Sequence, residues 1–313
     1  MKHILVILIL FATTSVLAKE KLLIISKEQE DFNKLTESLT KELGSGYESK
    51  VVKIDKGATL EVIEKNVTEF SPKLIVLMDN QSVTLAQEYY KKNPKSKIRS
   101  IALMGLNFKK LLKNNANICG IAYEVSAFSL LTQFRNAKSD KKLKSVLVFY
   151  RGSQYEETIK EAIELSKPEK IELTGIDVDK KGVVFDYLKT EGLKEVQSGK
   201  YEAVYVLLDS VLLEKNIFME FWLPLAKDSK IPILIGTEKF VNPNFNFAVF
   251  GLSPNLKELA SQAAQMIESL ANGEKCNKVE DLIGVNGFWN LKKSEDLDVK
   301  LDEDAKSEVK ILQ

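Results

Sequence analysis

The sequence predicts an α/β protein made of two doubly wound parallel-sheet lobes with a ligand cleft between them. Three observations carry this: short runs apolar at every position recur down the chain, amphipathic helical segments separate them, and the alternation restarts after residue 122. A parallel strand buried on both faces has no polar side to show, whereas a one-sided antiparallel strand would alternate.

Leu22 to Ile25 opens the first unit. Phe32, Leu35 and Leu39 follow on one helical face running to Leu43, and Gly44-Ser45-Gly46 supplies the turn that stops the helix. Leu60, Ile63, Val67 and Phe70 mark a second helix. The runs Leu74 to Met78 and Ile101 to Met104 come next, and a short strand, Ile118 to Ala122, closes the unit. The second unit starts with a helix from Val125 to Ala137, crosses a polar loop at 136–144, and enters the strand Val146 to Tyr150. Val204 to Leu208, Ile233 to Ile235 and Phe247 to Phe250 read as its further strands. A long helix, Pro254 to Asn272, then places Leu256, Leu259, Ala263, Ile267 and Leu270 on one face. From Ser294 the chain turns charged and weakly periodic, which predicts a solvated helix or tail.

The N-terminus reads as a removable export signal. Lys2 and His3 precede an apolar run, Ile4 to Ala12, that is short for a bilayer, and Val16-Leu17-Ala18 offers small residues for cleavage after Ala18. The predicted location is therefore periplasmic, with residues 1–18 removed and no cysteine placed for a lipid anchor. Cys119 falls in a buried strand and Cys276 in a polar loop, so two free thiols are expected rather than a disulfide.

Composition excludes several functions. Forty-five lysines and arginines balance 44 acidic residues, and Arg99, Arg135 and Arg151 are the only arginines, so nucleic acid is not the expected partner. His3 is the sole histidine, so a chain lacking its leader has no histidine base, triad or metal site. Phosphate-binding glycine loops, nucleophile elbows and paired-cysteine motifs are absent, and no cofactor or metal is implied. A carboxylate pair such as Asp79 with Asp209 is the weak basis for a hydrolase reading.

Ligands of open parallel sheets sit beyond the carboxyl ends of the strands. There the chain carries Asn80, Gln81 and Ser82, Asn107, Tyr123, Tyr150, Arg151, Ser153, Asp209 and Thr237. Each also suits an ordinary helix cap or loop. For a zwitterionic ligand, N–H groups at the helix start around Asn80-Gln81-Ser82 are the expected carboxylate donors and Arg151 a second anion contact. Asp209 is the expected ammonium acceptor, unless it only caps the helix beginning near Val211, and Tyr123 or Tyr150 would cover the side chain.

The stretch Asn117 to Val125, followed by Leu130 to Arg135 and Lys144 to Tyr150, resembles the middle of ABC-transporter substrate-binding proteins of the type I periplasmic-binding family, in the branch with tryptophan- and tyrosine-binding members. Val204 to Asp209, Leu259 to Gly273 and Val285 to Leu291 extend the resemblance over nearly all of the chain after residue 18. Asp79-Asn80-Gln81 and Asn107-Phe108 depart from the family pattern at the ligand positions. The resemblance implies a monomeric, non-catalytic binder that hands a small molecule, for example an amino acid, to a membrane permease, or signals through a sensor or chemoreceptor. It also assigns 254–273 to the first lobe (19–122), leaves 123–253 as the second, and leaves 274–313 unassigned. A hinge crossing is expected near Tyr123-Glu124.

Overall fold

The computed structural model describes residues 19–113, 115–276 and 279–313; the export signal expected at 1–18 lies outside the described residues. The chain begins with β1 (Glu20–Ser26), α1 (Glu30–Leu43), β2 (Tyr47–Lys53), α2 (Leu60–Phe70), β3 (Leu74–Met78), α3 (Asn80–Lys92), β4 (Arg99–Leu103), α4 (Phe108–Leu111) and β5 (Ile118–Ile121). It crosses to α5 (Ala127–Ala137), β6 (Ser145–Tyr150), α6 (Gly152–Ser166), β7 (Glu172–Asp177), α7 (Val184–Tyr187) and α8 (Leu193–Val196). Next come β8 (Ala203–Val206), α9 (Lys215–Ile217), α10 (Leu223–Asp228), β9 (Ile233–Ile235) and β10 (Phe250–Pro254). The chain ends with α11 (Leu256–Ala271), β11 (Val279–Glu280), β12 (Val285–Asn290), α12 (Leu291–Asp296) and β13 (Val309–Leu312).

Two sheets result, ordered β11-β5-β4-β3-β1-β2 and β13-β12-β10-β9-β8-β6-β7. The first is wholly parallel; in the second only β10 and β12 run antiparallel. Burial on both faces follows from the runs. Leu22 and Ile24 meet Leu35 and Leu39 of α1 together with Leu259, Ala263 and Ile267 of α11, whereas Leu23 and Ile25 meet Ile63 of α2 and Val83 of α3. In the second sheet, Val146 and Val148 face α5 and α6, and Leu147 and Phe149 face the helices around Trp222.

Several expectations are corrected. The edge strands β2 and β7 were not among the apolar runs, because β2 has no buried residue and β7 is partly open to solvent along most of its length. Phe247, Ala248 and Val249 are fully buried without being strand; the ladder begins at Phe250, and Phe247 instead packs on the rings of Phe218 and Phe240. The segment after Ser294 is not a solvated tail, since Val299, Leu301 and Val309 pack on the second core and β13 closes that sheet's edge. The segment left unassigned divides: β11 joins the first sheet, β12 and β13 the second.

The expectation of two free thiols is also overturned: Cys119 and Cys276 form a disulfide. The pairing of β11 beside β5, with Val279 opposite Gly120, brings the chain back along the strand that holds Cys119. A loop reading of Cys276 missed that return, and both sulfurs end up buried.

Candidate functional site

Among the described residues, three chain segments join the lobes, at 122–126, 254–255 and 281–284. The strand ends of the two sheets meet across them. Asn107, beyond β4, donates through Nδ2 to the Gln154 carbonyl at the start of α6 (2.9 Å), and Lys110 Nζ donates to the Ser153 carbonyl. Lys109 pairs with Glu161 at 3.0 Å and Lys113 with Glu157 at 2.7 Å, both on α6.

On the first-lobe rim, Asp79 holds a backbone conformation rare outside glycine (φ 130°). Its carboxylate ties the turn together, with Oδ1 accepting from the Ser82 N–H at 2.7 Å and Oδ2 lying 2.6 Å from Lys27 Nζ. Ser82 is buried, so its N–H is committed to this cap. Asn80 reads the backbone of the neighbouring loop, accepting from the Leu106 N–H and donating to the Leu106 carbonyl. Gly105 permits this approach, since a Cβ there would lie 2.3 Å from Asn80 Oδ1. Gln81 donates to the Asp55 carbonyl. The backbone N–H groups of Asn80 and Gln81, in the first helical turn, have no helical acceptor.

On the second-lobe rim, Arg151 and Asp209 come together from the ends of β6 and β8. The guanidinium donates through Nε to both Asp209 oxygens (3.1 and 2.9 Å), and Nη2 lies 2.9 Å from Oδ2. Asp209 Oδ1 also accepts from the Val211 and Leu212 N–H groups at 2.8 and 2.9 Å, and the residue is 1% exposed. Its carboxylate is therefore a cap and a holder for Arg151. Arg151 keeps Nη1 without a partner among the described residues and stays one-fifth exposed. The pairing holds the guanidinium above its ordinary, already high pKa.

The remaining expected residues scatter. The α6 N-terminus is filled by the chain's own carboxylates, Asp177 receiving the Gly152 N–H and Asp179 the Ser153 N–H. Tyr150 turns into the core beneath α6 against Gly175, and Asp177 beside it helps burial push its phenol pKa up. Tyr123 lies on the crossing segment against the first-lobe core, its phenol also pushed up by burial, with Asp31 adding to the effect. Thr237 sits half-buried after β9 with one long bond from the Lys239 N–H. Three residues were missed as site members. Lys27 fixes Asp79, Tyr155 donates to the Leu208 carbonyl beside the Arg151 pair, and Glu124 accepts the Asn107 N–H at 2.7 Å. For Tyr155 the signal was its place one turn into the helix after Arg151. For Glu124 it was the crossing itself. Among the described residues no cluster of three or more His, Cys, Asp or Glu is arranged to hold a metal, and no helix is long and apolar enough to cross a membrane.

No family model and no curated protein matches the sequence. Solved structures do. A ligand-free, open substrate-binding protein with adhesive properties from Clostridium difficile superposes with a TM-score of 0.67 at 15% identity, over 94% of this chain and 99% of its own. An ABC domain in complex with L-Trp from Streptococcus pneumonia gives 0.58 at 13% identity, covering 95% of this chain and all of the other. A periplasmic ribose ABC transporter protein from Conexibacter woesei gives 0.52 at 16% identity, over 90% and 93%. The chain thus has the two-lobed type I periplasmic-binding fold, and at these identities the likeness establishes fold alone.

Proposed function

We propose that the protein is an extracytoplasmic solute-binding protein that captures a small carboxylate, an amino acid being the best fit, and presents it to an ABC-transporter permease. The observation that carries the reading is Arg151. A buried aspartate fixes its guanidinium at the end of β6 while part of its donor fork stays free, on the rim that faces the other lobe. A planar fork of this kind suits a carboxylate. The first-turn N–H groups of Asn80 and Gln81 supply donors on the opposite rim. This keeps the anion contacts expected from sequence and drops the ammonium acceptor, because Asp209 is committed to Arg151 and to its helix rather than free for an ammonium group.

Function follows from closure. A ligand touching both rims binds the closed arrangement more tightly than the open one and shifts the population toward it, and the closed form is what a permease recognises. The non-catalytic reading agrees with the carboxylates: Asp79 and Asp209 are each held by a cation and by backbone N–H groups, which leaves neither as a free acid or base. The protein works as a monomer in this scheme. The export leader, cut after Ala18, delivers it to the periplasm.

A thermal-shift screen of amino acids, nucleosides and sugars tests the ligand class, since a ligand at 100 times its Kd adds about 2.7 kcal/mol. Stabilisation by amino acids is expected, followed by a loss of at least about thirtyfold in affinity in Arg151→Gln, corresponding to about 2 kcal/mol. Sugars stabilising the protein with amino acids inert, or an affinity unchanged in Arg151→Gln, overturns the carboxylate reading.

A further inference from the structure

Behind the cleft rim, on the flank of the hinge, a cavity of about 240 Å³ lies between α5, α6 and the crossing segments. Its floor is Tyr205 and Leu207 of the second sheet, its sides include Phe128 and Ala162, and Leu282 covers it from the third crossing. Asn107 and Lys109 of the first lobe complete the wall. Polar groups converge in this apolar space: Glu124 from the first crossing, and the Tyr155 and Tyr205 phenols close enough for its charge to act on both.

The charges around the cavity are three carboxylates, Glu124, Glu161 and Asp281, against one ammonium, Lys109. Lys109 is already shared, lying 3.0 Å from Glu161 and 3.0 Å from Asp281. Glu124 has the Asn107 N–H on Oε1 and no ion-pair partner among the described residues. A carboxylate largely removed from water and lacking a cation gains most from a ligand that brings one. An apolar cavity of about 150 Å³ suffices for benzene, so this one has room for a ring and a short tail.

We propose that the hinge cavity is a second ligand subsite, adjoining the Arg151 rim at Tyr155, that takes a small apolar cation such as an arylalkyl amine, with Glu124 accepting its ammonium group. The walls come from both lobes and two crossings, so occupancy is coupled to lobe angle, and an amine there biases closure around the cleft ligand. Burial sets the pH range. It pushes the Glu124 carboxyl up to about 7 against the opposing pull of the Asn107 N–H and of Lys109. Tyr155 and Tyr205 are pushed upward and stay protonated, while Lys109 remains charged.

Calorimetric titration of the mature chain with phenethylamine at pH 8 and pH 5.5 tests this. Binding is expected at pH 8, at least threefold weaker at pH 5.5, and at least tenfold weaker in Glu124→Gln, which retains an acceptor for the Asn107 N–H. Ala162→Leu fills the cavity without touching Glu124 and is expected to weaken binding as strongly. Four results overturn the proposal: no heat at millimolar amine, affinity unchanged in both variants, ethylbenzene binding as well as the amine, or loss of amine binding in Arg151→Gln, which would put the amine in the cleft.

Discussion

Removing the Asp209 side chain separates its structural duties from any direct role toward ligand. In Asp209→Ala the Val211 and Leu212 N–H groups lose their cap, which costs about 1 kcal/mol. Arg151 loses its charge-assisted bonds, normally about 1.5–3 kcal/mol, but its one-fifth exposed guanidinium recovers part of this from water. The sum is a loss of about 2–3 kcal/mol of stability. Asp209→Asn keeps one acceptor oxygen for the cap and loses the charge, so about half of that is expected. Urea unfolding of Asp209→Ala, Arg151→Met and the double variant gives the measurement, with a coupling of at least about 1 kcal/mol expected between the two sites. Strictly additive effects, or Asp209→Ala within about 0.5 kcal/mol of the parent, would refute the view that this carboxylate holds Arg151 in place.

Glu124 gives a pH signature of its own. Its carboxyl is raised from 4.5 to about 7 in the folded protein, so the native state binds the extra proton and stability falls as pH rises from about 4.5 to 7, by up to about 3 kcal/mol, then levels off. Unfolding of Glu124→Gln across that window should lack this slope, and an identical slope in the variant contradicts the assignment. Thiol titration under denaturing, non-reducing conditions should find no free thiol, and Cys119→Ser with Cys276→Ser should cost about 2–5 kcal/mol because the bond closes a 157-residue separation. Lys109→Ala with Lys113→Ala removes the ion pairs that Lys109 on α4 and Lys113 just beyond it make to α6, and the Lys109–Asp281 pair, each worth at most about 1 kcal/mol. Its stability should barely move while its radius of gyration without ligand, by small-angle scattering, rises; unchanged dimensions would show that these pairs do not hold the lobes together. Saturating cleft ligand should make the parent protein more compact, and constant dimensions count against closure.

The fold was legible wherever burial acts on both sides of a strand. Ile75 and Val76 point to opposite faces and are both enclosed, so composition alone marks the strand. Val51, exposed on an edge, leaves no such mark. Helix faces such as Leu259-Ala263-Ile267 were legible for the same reason, and helix ends because caps are local. The site was only half legible. Position after a strand located Arg151 and Asp209 on the rim, but not that the second would be consumed by the first, because that depends on two strands 58 residues apart becoming neighbours. Tyr150 failed through strand parity: as the last residue of β6 it faces the core beneath α6, and Tyr155, one helical turn later, takes the place beside the pair. The disulfide failed through topology, since nothing near Cys276 announces that β11 returns to β5.

The interleaving of the two lobes dictates an order of assembly. The face of the first sheet formed by Leu22, Val76 and Ile101 is covered by α1 and by α11, whose last residue is Ala271. A chain still being made that has not reached α11 leaves this hydrophobic face open, however complete residues 19–122 are. The second sheet in turn lacks β12 and β13 until the final residues arrive. Neither lobe can finish folding from one continuous fragment, so the polypeptide stays unsettled through most of its synthesis and both cores close late, almost together.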